Sequence, residues 1–464
     1  PGRARHPEDP LMAHAYPHSR VDEGQRPVSV IIGLGRTGAS CARHLAARGH
    51  ALRITDSRRD PPGLAELGKS GEEATLALGG FEEKLLDGAD QVVVSPGVSM
   101  REPIIVAALA RGMDVVGDIE LFAREVAGRC VAITGTNGKS TVTTLVGEIA
   151  EAARVNVRVG GNIGRPALDL LAGDPADLYV LELSSFQLET THSLALEAAV
   201  VLNLTADHMD RYSDLSDYGA AKARIYDHCA TAVVNLDDGL VRRMPRPGQR
   251  TVGFSLSQAD ADYALVDLSG SRWLAAGGEP VMPVAEMRLG GRHNAANAIA
   301  ALALADACGL PREAAVAALR HFPGLPHRTQ WVADTDGVRW IDDSKATNVG
   351  AAIAAVEGLE GPLLLIAGGD GKGQDFAPLA DAVRGKVRRA VLLGRDARQV
   401  GAALEGACEI EYVGTMDEAV AAARRAARPG DTVMLSPACA SLDMFRDYAH
   451  RGEVFSAAVR GGVA

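Results

Sequence analysis

The sequence predicts an α/β protein of three domains: a Rossmann-like N-terminal domain, a central domain of the P-loop type and a Rossmann-like C-terminal domain. The length of 464 residues is typical of about three domains. Short apolar strands alternate with helical segments along most of the chain, and polar or glycine-rich motifs follow several of these strands directly. Because ligands bind beyond the carboxyl ends of strands in open α/β sheets, these motifs mark candidate sites.

Composition excludes several classes of protein. The apolar runs, of which 363–367 is typical, are far shorter than the roughly 18 residues of a membrane span. The net charge of −11 argues against a nucleic-acid partner. The six cysteines are scattered without a C-x-x-C pair, which favours reduced thiols over a disulfide framework or a zinc site. We therefore expect a cytoplasmic protein with no membrane span.

Residues 1–26 are rich in Pro, His and Arg and contain no apolar segment. A secretory signal needs such a segment, so this stretch predicts a disordered lead-in, with an expression-tag remnant ahead of Met12.

The N-terminal domain, residues 27–117, begins with a strand, a glycine turn and a helix. Gly33, Gly35 and Gly38 match the dinucleotide fingerprint, and Asp56 ends the next strand, where a ribose-binding acid would lie. Taken alone, this pattern favours NAD. The same turn would bind any nucleotide diphosphate, or would only pack a helix against a strand. The predicted elements are strands 28–32, 51–55 and 91–94 and helix 39–48.

The central domain, residues 118–323, contains a glycine-rich turn between the strand 131–133 and a helix from Val142. Such a turn binds phosphate through backbone N–H groups and the helix dipole. Lys139 can reach the terminal phosphates, and a hydroxyl of Ser140 or Thr141 can ligate Mg²⁺. Only two residues separate the glycines, whereas the standard P-loop has four. The nucleotide turn comprises Gly135, Thr136, Asn137, Gly138, Lys139, Ser140 and Thr141.

Three other residues of the central domain are candidates whose structural alternatives stay open. Glu182 ends the strand 178–183 and suits Mg²⁺, although a capping or solvated glutamate would fit there too. His208 follows the strand 198–204, where a structural histidine is the alternative. Lys222 lies in the predicted helix 218–226, where a lysine is normally a solvated cation. A third strand is predicted at 232–236, a β-rich segment at 250–290 and a helix at 294–308.

The C-terminal domain, residues 324–464, follows the Pro-rich junction 322–326. Polar motifs at 342–348, 368–373 and 436–443 each follow a predicted strand, which indicates a pocket for a small charged substrate. Arg328 at the junction is placed to reach phosphate. Lysine is otherwise scarce, with seven lysines in the chain, yet Lys345 and Lys372 fall inside these motifs. The predicted strands are 338–341, 363–367, 390–393 and 432–435.

Ten short motifs lie along the chain besides the short-spaced phosphate turn. They are GDIELF (117–122), GNIG (161–164), ELSSFQLE (182–189), DHMDRY (207–212), AAKARIYD (220–227), GRHNAANA (291–298), LPHR (325–328), DDSKATN (342–348), GGDGKG (368–373) and SPACASLD (436–443). In this order they resemble the motifs of the Mur ligase family, the ATP-dependent amide ligases of peptidoglycan assembly. The resemblance covers residues 28 to 460 and is strongest to the branch that adds D-glutamate.

The resemblance implies that the first domain binds the UDP part of UDP-N-acetylmuramoyl-L-alanine and not NAD. It implies ATP in the central domain, Mg²⁺ at two sites and D-glutamate in the C-terminal domain. The implied UDP-substrate residues are Arg36, Thr37, Ser57, Arg58, Ser95, Pro96, Gly97 and Asn162. Besides the nucleotide turn, the implied ATP residues are Asn294, Asn297, Arg328, Asp343 and Lys345. The implied metal residues are Ser140, Thr141, Glu182, His208 and Lys222, the last as an N-carbamate formed with CO₂.

For glutamate the resemblance implies Thr347, Lys372, Ser441 and Leu442; Tyr448 stands where a phenylalanine is expected. It implies a two-step ligation through an acyl phosphate, with Lys139, His208, Lys222 and Lys372 catalytic and His208 a candidate base. We expect a monomer. The alternatives are L-glutamate as substrate, a folylpolyglutamate-type ligase, a P-loop switch that only hydrolyses ATP and an NAD-dependent dehydrogenase.

Overall fold

The computed structural model describes residues 26–288, 291–359 and 361–461. The predicted disordered lead-in and tag remnant, up to residue 25, lie outside the described residues. Contacts divide the chain into two compact units, which meet in sequence between Leu121 and Phe122.

The N-terminal unit is built on a parallel sheet. Within residues 26–121 five strands pair in the order β3-β2-β1-β4-β5, so the strand order reverses between β1 and β4. That point is where open α/β sheets bind ligands. The strands are β1 (Val28–Ile32), β2 (Ala51–Asp56), β3 (Thr75–Leu78), β4 (Gln91–Val94) and β5 (Asp114–Val116). The helices are α1 (Arg36–Ala47), α2 (Lys69–Glu72) and α3 (Pro103–Ala110), and α4 (Asp118–Ala123) follows them.

From residue 122 onward, the described chain forms two sheets, of nine and of six strands. In the nine-stranded sheet β6 lies between β8 and β9, and β12, β13 and β14 form an antiparallel edge. Its strands are β6 (Arg129–Thr134), β7 (Val157–Gly161), β8 (Leu178–Glu182), β9 (Leu196–Val201), β10 (Cys229–Asn235), β11 (Thr251–Ser255), β12 (Tyr263–Leu268), β13 (Ser271–Ala276) and β14 (Glu279–Pro283). The associated helices are α5 (Lys139–Ala152), α6 (Ser185–Leu188), α7 (Leu215–Ala223), α8 (Arg292–Ala307) and α9 (Arg312–His321).

The six-stranded sheet has the order β15-β16-β20-β17-β18-β19 and is parallel except for the β15–β16 pair. Its strands are β15 (Gln330–Thr335), β16 (Val338–Asp342), β17 (Leu363–Ala367), β18 (Val387–Leu392), β19 (Glu409–Tyr412) and β20 (Thr432–Leu435). Its helices are α10 (Val349–Gly358), α11 (Ala377–Val383), α12 (Ala397–Leu404), α13 (Met416–Ala426) and α14 (Tyr448–Gly461). Short 3₁₀ helices lie at Leu64–Glu66, Glu83–Leu86, Ala167–Leu171, Arg224–Tyr226, Val241–Arg243 and Val284–Glu286.

Apolar packing explains why the phosphate-turn helix is well anchored. Val142, Leu145 and Ile149 of α5 are buried against Ile299 and Leu302 of α8, within one core cluster that also takes in β6, β8 and β9. Helix α8 is buried along most of its length because alanine allows close approach on every side. The start of α5 is therefore held rigidly beside the sheet edge.

The predicted α/β fold is confirmed, and the predicted strands fall into three sheets. The predicted β-rich segment is confirmed as well and forms β11 to β14. The helix predicted at 218–226 begins earlier, at Leu215, because the Asp214 side chain caps it by accepting from the Asp217 N–H at 2.8 Å. Its last turn, 224–226, is a 3₁₀ helix. Helix α5 begins at Lys139 rather than Val142, directly after the left-handed Gly138. Across the described residues no helix is long and apolar enough to cross a membrane.

Candidate functional site

The glycine turn of the N-terminal unit connects β1 to α1 where the strand order reverses. Gly33 has φ +93°, and the Ser95 hydroxyl after β4 donates to its carbonyl at 2.7 Å. A Cβ on Gly38 would lie 2.1 Å from the Gly33 oxygen, so only glycine fits there. Around Gly35, by contrast, the space is open within 4 Å. Gly33 and Gly38 serve packing, and Gly35 leaves the turn accessible.

The Asp56 carboxylate serves the protein's own backbone rather than an open ribose site. One oxygen accepts from the Leu34 N–H at 2.6 Å, and both oxygens accept from the Arg58 side chain. Burial acts to raise the pKa of Asp56, but Arg58 and the two backbone N–H groups outweigh it and hold the pKa at about 2. The ribose-binding role that NAD would require of Asp56 is therefore not supported. The predicted UDP residues Arg36, Thr37, Ser57 and Arg58 are exposed or half-buried near this edge, and Ser95 is buried.

The phosphate turn follows β6, between the ends of β8 and β9. Gly138 is left-handed, and a Cβ there would lie 2.5 Å from the Asn297 side-chain oxygen, which explains the glycine. Lys139 donates from Nζ to the carbonyls of Gly135 at 3.0 Å and Thr136 at 2.8 Å. Lys222, at the end of α7, donates to the same Gly135 carbonyl at 2.9 Å.

Lys222 is not the solvated helix lysine that its sequence position allowed. It is 1% exposed, and its ammonium lies 4.5 Å from the centre of the Tyr218 ring. Burial, with Lys139 as a second cause, lowers the pKa of Lys222 well below its usual value. Burial lowers the pKa of Lys139 as well. The turn thus combines two amines whose charged forms are disfavoured by burial, and the pKa of Lys222 lies well below its usual value.

Glu182 supplies a buried carboxylate beside the turn. Its Oε1 accepts from the Asn162 side chain at 2.7 Å, whereas its Oε2 is buried with no hydrogen-bond partner. An unsatisfied buried carboxylate oxygen is costly unless a ligand completes it. The described part of the chain contains no cluster of three or more His, Cys, Asp or Glu side chains placed to hold a metal. Mg²⁺ does not require one, because it keeps waters and phosphate oxygens as ligands.

The C-terminal domain reaches the phosphate turn through Arg328, whose guanidinium donates to the Ser140 hydroxyl at 2.8 Å. A cavity of about 260 Å³ lies beside this contact. Predicted ATP residues line it, namely Asn137, Gly138, Thr141, Asn294, Asn297, Arg328, Asp343 and Lys345, together with Phe254 and His293. The structure therefore brings these ATP candidates from two domains to one cavity.

Two titratable groups of the cavity are shifted toward neutral pH. Burial raises the pKa of Asp343 to about 7, against hydrogen bonds from Ser436 and the Thr329 N–H. Burial, with Arg328 and Lys139 as further causes, lowers the pKa of Lys345 to about 7. The Lys345 ammonium lies 3.9 Å from the centre of the Tyr448 ring, so the tyrosine at this position has a defined contact.

His208 and Lys372 meet around Asp207, which the sequence analysis did not select as a site residue. Lys372 Nζ lies 2.5 Å from one Asp207 oxygen, and His208 Nε2 lies 3.8 Å from the other. Burial acts to raise the pKa of Asp207, but Lys372 and His208 keep it below its usual value. Burial lowers the pKa of His208, so its neutral form is favoured.

Asn348 is a second residue of this site that the sequence did not identify. Its side chain donates to Asp207 and to Asn137 at 3.1 Å each. Both missed residues lie in motifs that follow strands, which is the signal that could have found them. Their pairing joins positions 141 residues apart and has no mark in the sequence.

Two of the loops that carry predicted glutamate residues lie side by side. The loop with Lys372 and the loop with Ser441 are joined by two backbone hydrogen bonds between Asp370 and Ala440, at 3.0 and 2.8 Å. Ser441 is 3% exposed and Leu442 is 73% exposed. Thr347 is half-buried, directly before Asn348.

Comparisons with known proteins agree with this arrangement. Three family models match the chain: the Mur ligase MurD-like N-terminal domain at residues 28–117, the Mur ligase middle domain at 133–305 and the Mur ligase glutamate ligase domain at 327–439. The UDP-N-acetylmuramoylalanine--D-glutamate ligase of Nitrosococcus oceani is 52% identical over 93% of this chain and 96% of its own length. The ligase of the same name from Methylococcus capsulatus is also 52% identical, over 93% of this chain and 94% of its own.

Among solved structures, the UDP-N-acetylmuramate-alanine ligase of Thermotoga maritima matches with a TM-score of 0.61 and 17% identity. The match covers 94% of this chain and all of the other, and it supports the fold alone.

Proposed function

The chain belongs to the Mur ligase family, and we propose that it is an ADP-forming ligase that joins D-glutamate to UDP-N-acetylmuramoyl-L-alanine in peptidoglycan precursor synthesis. The observation that supports the chemistry best is the shared Gly135 carbonyl, which holds Lys139 and Lys222 on the phosphate turn. The Glu182 carboxylate, whose Oε2 has no hydrogen-bond partner, and the ion pair between Lys372 and Asp207 lie in the same compact unit of the chain as the turn.

The reaction takes two steps. A carboxylate oxygen of the alanyl group attacks the γ-phosphorus of ATP, and ADP leaves, which gives an acyl phosphate. The glutamate amine then attacks the acyl carbon, and phosphate leaves as the amide forms. We propose that Lys139 turns from the turn carbonyls to bind the transferring phosphoryl group, since electrostatic stabilisation supplies most of phosphoryl-transfer catalysis. The neutral His208 is our candidate for accepting the ammonium proton in the step in which it does not bind the metal, because a neutral imidazole has a single basic nitrogen.

ATP and Mg²⁺ suit the donors that surround the turn. The Ser140 and Thr141 hydroxyls, the free Glu182 oxygen and His208 would hold the metal at two sites, and bound Mg²⁺ would neutralise phosphate charge. Asn294 and Asn297, at the start of α8, would contact the adenine side of the nucleotide, and Arg328 its phosphates.

We propose further that Lys222 is carbamoylated. A neutral amine adds CO₂ by forming an N–C bond and releasing a proton, and burial favours the neutral amine here. The product is an anionic oxygen donor of the kind that Mg²⁺ prefers. The carbamate anion would also attract the Lys139 ammonium, which shares the Gly135 carbonyl with Lys222.

Glutamate would bind at Thr347, Lys372, Ser441 and Leu442, and the UDP part of the other substrate at the turn beyond β1. Asn162, whose side chain donates a hydrogen bond to Glu182, would also contact the UDP-substrate. We propose domain bounds at 27–117, 118–323 and 324–464. We also propose that the protein is a monomer and that it acts in the cytoplasm, since ATP and UDP-sugars are found there. A nicotinamide role is disfavoured because both Asp56 oxygens are already hydrogen-bonded.

The test is phosphate release from ATP by the purified chain with UDP-N-acetylmuramoyl-L-alanine and either D- or L-glutamate. We expect release only with both acceptors present, and faster with D-glutamate. Release that is unaffected by the two acceptors would mean an ATPase or switch and would refute the ligase. Faster turnover with L-glutamate would correct the stereochemistry.

A further inference from the structure

Asn348 lies between the phosphate turn and the loop that bears Lys372. It is 3% exposed and is the N-terminal cap of helix α10 in the C-terminal domain. Its side chain contacts both the turn and Asp207, and so connects the nucleotide residues with the glutamate residues.

The hydrogen-bonding capacity of this side chain is fully used. Nδ2 donates one hydrogen bond to Asn137 Oδ1 and one to Asp207 Oδ2, both at 3.1 Å. Oδ1 accepts from the Ala351 N–H at 2.8 Å and from Asn137 Nδ2 at 3.3 Å. An amide has two donors and two acceptor positions, so none is left over.

Helix capping alone does not account for this amide. The cap needs only the Oδ1 acceptor, and serine or aspartate caps a helix as well as asparagine does. Of serine, aspartate and asparagine, only asparagine has a side-chain nitrogen that donates two hydrogen bonds. These two donations are the contacts that leave the helix and reach Asn137 and Asp207.

Both partners are themselves fixed. The Asn203 side chain accepts from the Asn137 N–H at 2.8 Å and donates to the Asn137 carbonyl at 3.0 Å, so the turn position determines where Asn137 lies. Asp207 pairs with Lys372, whose φ of +51° is uncommon outside glycine. A displacement of the turn therefore reaches Lys372 through a continuous chain of side-chain hydrogen bonds, from Asn137 to Asn348, Asp207 and Lys372.

We propose that Asn348 is a positioning residue that couples nucleotide binding at the phosphate turn to amino-acid binding at Lys372 and Thr347. Thr347 precedes Asn348 directly, so one backbone segment positions both. The identity of the two ligands rests on the proposed function. Coupling between binding sites is reciprocal. Bound nucleotide therefore raises the affinity for the amino acid by the same factor by which bound amino acid raises the affinity for the nucleotide.

The experiment measures the dissociation constant of glutamate by calorimetry on the full chain with saturating UDP-substrate, with and without a non-hydrolysable ATP analogue. For the wild type we expect the analogue to tighten glutamate by about 10-fold or more. In Asn348→Ser the cap remains but both outward donations are lost, so the ratio falls to within about 2-fold of unity. Asn348→Asp, which also caps, shows the same loss because it cannot donate to Asp207.

Thr415→Ala is the control for a change at a helix cap, because the Thr415 side chain caps α13 by accepting from the Glu418 N–H of its own helix. It lowers the melting temperature but keeps the coupling ratio. A wild-type ratio near unity, or an Asn348→Ser ratio equal to the wild type's, overturns the inference while the ligase activity stands. Wild-type enzyme that forms no product with the two acceptors overturns the proposed function, and the inference with it.

Discussion

Lys139 and Lys222 donate hydrogen bonds to the same acceptor, the Gly135 carbonyl oxygen, at 3.0 and 2.9 Å. Lys139 is the first residue of α5 and Lys222 lies in the last turn of α7, so two separate helices direct amines at one point of the turn. Burial disfavours charge on each and lowers the pKa of Lys222 well below its usual value. The arrangement favours an uncharged Lys222, the form that reacts with CO₂.

Replacement of Lys222 by arginine tests this chemistry. Arginine keeps a cation, but its guanidinium stays charged and cannot form the carbamate, so we expect Lys222→Arg to lower kcat by about 100-fold or more. Initial rates in CO₂-free buffer, with and without bicarbonate, should show activation of the wild type and none of the variant. Lys84→Arg, at an exposed lysine, is the control and should match the wild type. Full activity of Lys222→Arg would exclude the carbamate.

Lys345 should take up a proton when ATP binds. Its pKa of about 7 leaves the ammonium charged below that pH and largely neutral above it. A polyphosphate favours the charged form, so the affinity for ATP should fall as the pH rises through about 7, and binding at pH 8 should consume about one proton. Calorimetry in two buffers of different ionisation enthalpy measures this uptake.

Two variants identify the group that takes up the proton. Lys345→Arg is charged throughout and should abolish the uptake. Asp343, whose pKa is also about 7, is the competing source. Asp343→Asn should therefore retain the uptake, and its disappearance in that variant would assign the proton to Asp343 instead.

Gly35 and Gly38 of the N-terminal turn should respond differently to alanine. In Gly38→Ala the new Cβ would meet the Gly33 oxygen at 2.1 Å, so we expect the free energy of unfolding to fall by about 1–3 kcal/mol or more. Gly35→Ala meets nothing within 4 Å and should change it by less than about 0.5 kcal/mol. Urea midpoints measure both. Because Gly35 lies where a phosphate would approach, its variant should instead raise KM for the UDP-substrate. Equal midpoints would contradict the packing role of Gly38.

Arg328 should not be replaceable by lysine. Its guanidinium reaches Ser140 at 2.8 Å from the other domain, and a lysine ammonium offers a different geometry. Loss of one charged hydrogen bond, about 1.5–3 kcal/mol, predicts at least a 10-fold fall in kcat/KM for ATP in Arg328→Lys. Arg320→Lys, which alters an exposed pair with Glu286, should leave the rates unchanged. An unchanged kcat/KM in Arg328→Lys would remove Arg328 from the nucleotide site.

Local chemistry made much of the fold predictable. Apolar runs such as 363–367 marked the buried strands, and the short-spaced glycines marked the phosphate turn, because these features depend on neighbouring residues alone. The early start of α7 was missed although its signal, Asp214 three residues before Asp217, is in the sequence. Position along the chain did not reveal the order of the antiparallel edge strands β12 to β14.

The contacts between domains were not predictable. Asp207 and Lys372 are 165 residues apart, and their pairing depends on how two sheets pack. The same is true of Asn348, whose motif was recognised while its partners were not. Burial of Lys222 is likewise a tertiary property, since nothing in α7 itself distinguishes it from a solvated lysine. Sequence therefore indicated which segments matter but not which atoms meet.

The most direct test of the ligase mechanism follows the oxygen atoms. The enzyme is given UDP-N-acetylmuramoyl-L-alanine with ¹⁸O in the alanyl carboxylate, together with ATP and D-glutamate, and the released phosphate is examined by mass spectrometry. An acyl phosphate passes one carboxylate oxygen to phosphorus, so the account predicts one ¹⁸O atom in each phosphate formed. Phosphate without ¹⁸O, released as product accumulates, would show that the carboxylate never attacked ATP and would contradict the account.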